Sequence, residues 1–341
     1  MAPTPNPSIS LAAHPVGYPD LGKDFKYDTS ATIDVDSGAL NGGFLTKTLY
    51  LSVDPYMRNR MRDGGLGGWK LGQLFEGFGI SEVLRSETDQ YKKGDILYGT
   101  TTFRAYNVWP ASAPFRVLHN TENIPLSVYL GVAGMPGKTA YYGLRAIADP
   151  KAGESIFVST AAGPVGQLVC QLAKAKGLRV LGSAGSDEKV RFLLEDLKID
   201  AAFNYKTTST EEGLKKFGGI DIYWDNVGGE MLDAALEAMN KFGRIVLCGH
   251  ISMYNVKTPG ERYGIKNTYS LLYKEVKMQG LYVTSYEEKY SDEFYATVPK
   301  MIAEGKIKYL EDVTEGLEHA PNALLGVLKG DNVGKAVVKV A

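Results

Sequence analysis

Residues 154–173 read Glu154-Ser155-Ile156-Phe157-Val158-Ser159-Thr160-Ala161-Ala162-Gly163-Pro164-Val165-Gly166-Gln167-Leu168-Val169-Cys170-Gln171-Leu172-Ala173. Glu154 to Ser159 is a short run rich in β-formers, and from Pro164 onward Val165, Leu168, Val169, Leu172 and Ala173 recur at helical spacing. A strand therefore feeds a helix through a glycine turn. Gly163 permits close backbone approach, Pro164 suits a first helical position because its missing N–H would have had no partner there, and Gly166 lets helix and strand pack. Exposed N–H groups at such a turn can hold a pyrophosphate. Ala161 stands where the first glycine of the dinucleotide fingerprint is usual, so these residues alone also fit an ordinary strand-to-helix turn.

About twenty residues past that turn the chain reads Leu181-Gly182-Ser183-Ala184-Gly185-Ser186-Asp187-Glu188-Lys189. In a dinucleotide fold an acid ending the second strand grips the ribose hydroxyls of NAD. Small residues replace it here and Lys189 follows, which favours a 2′-phosphate and hence NADPH. A solvent-facing lysine in a first helical turn is the plainer alternative for Lys189.

Working outward, Arg179-Val180-Leu181, Ala201 to Tyr205, Ile220 to Trp224, Arg244 to Cys248 and Val276 to Leu281 are strand-like runs separated by helical or turn-rich stretches. Such alternation predicts an α/β fold with a parallel, doubly wound sheet, in which ligands bind beyond the carboxyl ends of the strands. Those ends are Ser183–Lys189, Tyr205, Asp225–Gly229 and Gly249–Tyr254.

The first 125 or so residues differ, with short apolar runs such as Thr48–Val53 and Asp95–Gly99 separated by turns such as Arg62–Gly68 and Tyr91–Asp95. They predict a mostly β domain. The chain end returns to that character after a helical Phe294–Glu304, with strands expected at Ile307–Leu310 and Lys335–Val340. The expected division is residues 1–127 with 300–341 for the β domain and 128–299 for the inserted Rossmann domain; 341 residues are long for one core. The net charge of −1 gives no electrostatic case for nucleic acid or a membrane surface. No apolar run is long enough to span a bilayer, and Met1–Pro7 lacks the regions of a signal peptide, so a cytosolic protein is expected. Cys170 and Cys248 read as packed thiols rather than a disulfide.

Taken together, Val53-Asp54-Pro55-Tyr56-Met57-Arg58, Gly134-Met135-Pro136-Gly137-Lys138-Thr139-Ala140-Tyr141, Ala161–Gly166, Ala184–Lys189, Phe203-Asn204-Tyr205-Lys206, Asp225-Asn226-Val227-Gly228-Gly229-Glu230, Phe242–Ile245 and Leu328–Lys335 resemble, in order, the motifs of the zinc-independent medium-chain dehydrogenase/reductases. Within them the chain is most similar to the NADPH-dependent alkenal double-bond reductases, the group of leukotriene B4 12-hydroxydehydrogenase/prostaglandin reductase and the plant double-bond reductases. The resemblance implies a GroES-like catalytic domain, an inserted Rossmann domain, usually a homodimer, and reduction of the C=C bond of an α,β-unsaturated aldehyde or ketone. An NADPH:quinone reductase of the same superfamily and a nucleotide-binding protein without catalysis are the alternatives.

Metal ligands are not expected. The zinc-bearing cousins need thiolate and imidazole ligands, whereas this chain has two distant cysteines and His14, His119, His250 and His319, and reads Leu74-Phe75-Glu76-Gly77 where the cousins carry Gly-His-Glu. His250 alone stands near an expected site, in a loop role rather than as a ligand.

Hydride addition at the β-carbon of an enone gives an enolate whose oxygen needs hydrogen-bond donors and whose α-carbon needs a proton. A tyrosine, with an ordinary pKa near 10, can donate either. Of 21 tyrosines, Tyr254 matches the family residue at the nicotinamide ribose and is the expected catalytic residue, with cofactor packing as the alternative. Tyr56 matches a substrate-pocket residue, for anchoring or packing as much as catalysis; Tyr282, Tyr286 and Tyr290 either border a pocket or pack. The resemblance further implies cofactor contacts from Pro55, Met135, Thr139, Gly163, Pro164, Val165, Gly166, Lys189, Tyr205, Asn226, Cys248, Gly249, Ile251, Ser252, Tyr254, Leu281, Val283 and Asn332. Met253–Tyr273 reads as a lid or a long connection bordering the substrate entrance.

Overall fold

In the computed structural model, which describes residues 3–65 and 67–341, the strand before Gly163 is Ser155–Val158 and the helix after it is Pro164–Ala175. Met1, Ala2 and Leu66, which fall in the N-terminal run and the glycine-rich turn singled out above, lie outside the described residues. The strand sits inside a six-stranded sheet ordered Ala201–Asn204, Arg179–Ala184, Ser155–Val158, Ile220–Asp225, Met239–Leu247, Lys277–Gly280, with every neighbouring pair parallel. This is the doubly wound Rossmann order. Strand order reverses between Ser155–Val158 and Ile220–Asp225, so the crevice for a ligand opens past Val158 and Asp225.

The inner strands form because they are buried on both faces, as a parallel sheet under helices requires: all four residues of Ser155–Val158 and five of six in Arg179–Ala184 are buried. Phe157 stacks on Tyr223 at 5.0 Å and on Phe203 at 5.9 Å across the sheet face. Each such ring removes on the order of 150–250 Å² from water and dominates this core.

Contacts divide the chain into Met1–Leu130 with Glu311–Ala341, and Gly131–Leu310. The return to the first unit comes at Glu311, later than residue 300, for two physical reasons. The helix expected from Phe294 spans Glu287–Ala303 and sets Phe294, fully buried, against Tyr141 of helix Met135–Gly143 at 5.7 Å. Residues Ile307–Leu310 are not the expected strand. The backbone of Lys308 exchanges hydrogen bonds with the Gln171 side chain at 2.8 Å, and Leu310 N–H donates to Gln167 Oε1 at 3.0 Å, which ties this segment to helix Pro164–Ala175. The strand is Glu311–Glu315 instead.

The first unit is built on a mixed seven-stranded sheet whose main order is Glu311–Glu315, Lys335–Lys339, Phe44–Ser52, Glu76–Ser86, Ile96–Thr102, Arg116–Val117, with Tyr106–Trp109 also paired to Phe44–Ser52. Its two C-terminal strands run parallel, joined by helix Ala320–Lys329. Trp69, Phe75, Phe103, Leu324 and Val338 share one core, in which the Trp69 and Phe75 rings meet at 4.4 Å.

A buried ion pair locks this unit. Lys335 Nζ donates to Asp54 Oδ1 at 3.1 Å and to Val53 O at 2.6 Å, while Ser52 Oγ donates to Asp54 Oδ2 at 2.5 Å. Burial pulls the lysine pKa down against the opposing pull of Asp54. Lys335→Met would leave the Asp54 carboxylate buried without its cation; the expected loss is about 3–5 kcal/mol, seen as a lower urea midpoint with unchanged slope.

Candidate active site

The glycine turn is a backbone cradle at a helix N-terminus. Gly163 caps helix Pro164–Ala175 without a side-chain hydrogen bond, and Gln167 N–H donates to Gly163 O at 2.9 Å, so the N–H groups of Val165 and Gly166 precede the helix's own ladder. A Cβ on Gly166 would lie 2.6 Å from both Ala161 Cα and Thr160 O, which excludes any side chain there. The buried Gln167 side chain holds the turn by donating to Ala162 O at 2.8 Å. The N–H groups of Val165 and Gly166 at this helix N-terminus fit a pyrophosphate.

At the end of the next strand, Ser186 Oγ accepts Lys189 N–H at 3.3 Å and caps the short helix Asp187–Arg191, so Lys189 stands in its first turn, partly buried. Tyr205 donates its N–H to Ala184 O at 3.0 Å. Its ring lies over Gly185, where a Cβ would come within 2.9 Å of the phenol oxygen; the ring remains 41% exposed. Lys189 and Tyr205 are thus gathered at one strand end, and Gly182 and Ser183 are buried within the strand. This set of one cation, one phenol and small residues fits a phosphate on the ribose.

The third strand end is organised by Asp225. Its Oδ1 accepts from Val227 N–H at 2.9 Å, Gly228 N–H at 2.8 Å and Tyr223 Oη–H at 2.8 Å. Its carbonyl accepts from Cys248 and Gly249 N–H at 2.8 and 3.0 Å. Asn226 is fixed by two bonds to buried Ser159, N–H to Oγ at 2.9 Å and Nδ2 to the carbonyl at 2.6 Å. Ser252 Oγ donates to Val227 O at 2.6 Å, Ile251 N–H to Asn226 O at 3.3 Å, and Tyr254 N–H to Ile251 O at 3.2 Å. One network therefore holds Asn226, Cys248, Gly249, Ile251, Ser252 and Tyr254. Gly228, at φ 70°, takes the left-handed region open to glycine, and its open face lies under the exposed His250 ring.

Burial sets the electrostatics of this network. It raises the Asp225 carboxyl despite three hydrogen bonds, pushes the Cys248 thiol up to about 12, and holds the Tyr254 phenol above its ordinary 10. The Tyr254 phenol is therefore protonated at neutral pH. Asp225 was legible only as part of a motif; the signal for its role was an aspartate followed at two and three residues by the N–H groups of a Gly-Gly turn. Asp225→Ala removes the acceptor for three donors, two of them buried. The expected cost is about 3 kcal/mol, a Tm drop of roughly 5–10 °C in thermal unfolding.

The other expected residues divide between the units. Thr139 donates its hydroxyl to Met135 O at 2.8 Å on helix Met135–Gly143, leaving its lone pairs as acceptors. Leu281 N–H donates to Leu247 O at 2.9 Å, its side chain packs on Gly143, and Val283 opens the following turn. Of the tyrosines named with them, Tyr282 is 73% exposed, while Tyr286 stacks on Tyr290 at 6.4 Å and the Tyr290 ring meets Tyr142 at 5.7 Å in a tilted contact. Pro55, Tyr56 and Asn332 belong to the first unit. Pro55 and Tyr56 follow the buried Asp54 and are half-buried, with Tyr56 against the core; the Asn332 side chain donates to Gly334 O at 2.7 Å within its turn. Arg58, not singled out by the sequence, is buried and anchors helix Met57–Arg60 by donating to Pro15 O at 3.0 Å and Gly17 O at 2.8 Å.

Among the described residues no group of three His, Cys, Asp or Glu side chains could hold a metal ion. Phe75, at the Gly-His-Glu position of the zinc-bearing cousins, is a core residue, and Glu76 pairs with Arg60 at 3.0 Å.

Comparison with known proteins gives the family. Residues 164–303 match the zinc-binding dehydrogenase family and residues 8–117 the N-terminal domain of oxidoreductase. The chain is 41% identical to the 2-alkenal reductase (NADP(+)-dependent) of Nicotiana tabacum, over 98% of each. It is 40% identical to prostaglandin reductase 1 of Bos taurus, over 97% of this chain and 98% of that one. The crystal structure of CurA from Vibrio vulnificus in complex with NADPH is similar at a TM-score of 0.89 and 35% identity, over 98% of this chain and 99% of that one. With a Rossmann unit, a mostly β GroES-like unit and full-length relatives at this identity, the chain belongs to the medium-chain dehydrogenase/reductases, in their zinc-independent family of NADP-dependent alkenal double-bond reductases.

Proposed function

We propose that this protein uses NADPH to reduce the C=C bond of α,β-unsaturated aldehydes and ketones. The observation that carries the reading is 41% identity over 98% of the chain to a relative named as an NADP(+)-dependent 2-alkenal reductase. The phosphate-shaped strand ends at Gly163–Gly166 and at Lys189 with Tyr205 support it.

When bound, NADPH supplies hydride to the β-carbon of the substrate. The chain's own residues do the rest. Val165 and Gly166 N–H groups hold the pyrophosphate, Lys189 and Tyr205 the 2′-phosphate, and Asn226, Cys248, Gly249, Ile251 and Ser252 form the wall against the nicotinamide half. Met135, Thr139, Leu281 and Val283 complete that wall. For Pro55 and Asn332, of the first unit, the family resemblance implies cofactor contacts, and for Tyr56 a substrate contact. Tyr254, kept protonated by burial, donates from its phenol to the enolate oxygen or delivers the proton to the α-carbon.

The protein is further proposed to be a cytosolic homodimer. Unpaired Cys170 and Cys248 fit a reducing compartment. The edge strand Lys277–Gly280 is largely exposed and neighboured in sequence by Leu272, Tyr273 and Tyr282, each more than 70% exposed, a surface suited to a second copy. Light scattering should give twice the chain mass, and a Lys277→Pro, Gln279→Pro variant should give the monomer.

Comparing NADPH consumption with an enone and with a simple quinone tests the activity. Enone turnover exceeding quinone turnover is expected. The reverse order would favour a quinone reductase, and NADPH binding with no turnover of either would favour a non-catalytic binding protein.

A further inference from the structure

Two acids, Asp187 and Glu188, stand directly before Lys189, in the strand end that takes the 2′-phosphate. A free carboxylate beside a phosphate dianion repels it, and a carboxylate is also what grips the bare ribose hydroxyls of NAD. The position of Asp187 therefore works against NADPH unless its charge is held elsewhere.

The structure holds it. Asn204, the last residue of strand Ala201–Asn204, donates from Nδ2 to Asp187 Oδ1 at 2.8 Å. The amide cannot turn the other way, because its Oδ1 accepts Lys206 N–H at 3.1 Å and only the NH₂ end is left for the carboxylate. Asn204 is itself rigid, since its carbonyl accepts from Thr207 and Thr208 N–H at 3.1 and 2.9 Å. Tyr205, next in the chain, is the residue whose ring lies over Gly185. One side chain thus joins the segment that carries Tyr205 to the helix that carries Lys189, through the acid at that helix's start.

We propose that Asn204 is a specificity-determining residue for the cofactor: by holding the Asp187 carboxylate on the Ala201–Asn204 strand end, it keeps that charge off a 2′-phosphate bound at Lys189 and Tyr205. Asn204 is a positioning residue that acts through Asp187. The inference rests on the NADPH reading above.

The test is binding, measured calorimetrically on the full chain with 2′,5′-ADP, which carries the phosphate, and 5′-AMP, which lacks it. Asn204→Ala is expected to raise the Kd for 2′,5′-ADP about fivefold and leave 5′-AMP unchanged, as a carboxylate released near the phosphate requires. Adding Asp187→Asn to that variant is expected to restore 2′,5′-ADP to within about twofold of the wild type, and Asp187→Asn alone to change it less than about twofold. Equal weakening of both ligands without rescue would mean that Asn204 merely holds the 204–208 turn, and no change in either would mean that the Asp187 charge is irrelevant; both overturn this inference alone. Wild-type protein binding 2′,5′-ADP no better than 5′-AMP would overturn the NADPH reading and this inference with it.

Discussion

Tyr254→Phe is expected to lower kcat for an enone by about a hundredfold or more, with KM for NADPH within about twofold of the wild type. The substitution removes one oxygen and keeps the ring, so packing against the cofactor survives and only the donor is lost. Loss of a single donor to a developing oxyanion costs about 2.7–4 kcal/mol, which is a factor of roughly a hundred to a thousand in rate. The backbone of Tyr254 is set by the Ile251–Met253 turn, itself tied to Asn226 and Val227, so the variant should keep its loop. The sign of the pH dependence follows from burial. The Tyr254 pKa is raised above 10, so the phenol remains protonated through the neutral and mildly alkaline range, and wild-type kcat should show no loss from this group there. Steady-state kinetics of both proteins from pH 6 to about 10 check this. A variant that loses NADPH affinity but keeps kcat would make Tyr254 a packing residue.

Lys189→Ala is expected to raise KM for NADPH by about 10–100-fold, while KM for NADH moves less than about twofold. The magnitude is that of a hydrogen bond to a charged group, about 1.5–3 kcal/mol, at 1.36 kcal/mol per tenfold. Because the interaction is between a cation and a phosphate on a partly exposed strand end, salt should weaken it. Wild-type KM for NADPH should rise with ionic strength, and the Lys189→Ala variant should lose most of that slope. Equal effects on the two cofactors would place the lysine in a structural role.

Particular residues show why part of this was readable in the sequence. The Gly163-Pro164-Val165-Gly166 turn was legible despite Ala161 because its logic is local: a strand run, a residue that suits a first helical position, and a glycine where Cβ has no room. The inner sheet strands were legible because burial on both faces makes them largely apolar runs, and the absence of an acid at Gly182 and Ser183 could be read directly. Ile307–Leu310 looked equally strand-like, yet its backbone groups are taken by Gln167 and Gln171, long-range partners that no local pattern reveals. The same holds for the site's organisation. Asp225 collects donors from Tyr223, Val227 and Gly228 and, through its carbonyl, from Cys248 and Gly249, strand ends brought together only by the fold. Asn204 is similar: the Asn204-Tyr205-Lys206 motif was visible, but its grip on Asp187, seventeen residues away, was not.

The most direct measurement of the proposed activity is the identity of the product formed from a simple enone and NADPH, read by NMR and mass spectrometry. A saturated ketone, with NADPH consumed in equal amount, is expected from hydride addition at the β-carbon and protonation at the α-carbon. An allylic alcohol, or unchanged enone in the presence of bound NADPH, would contradict C=C reduction.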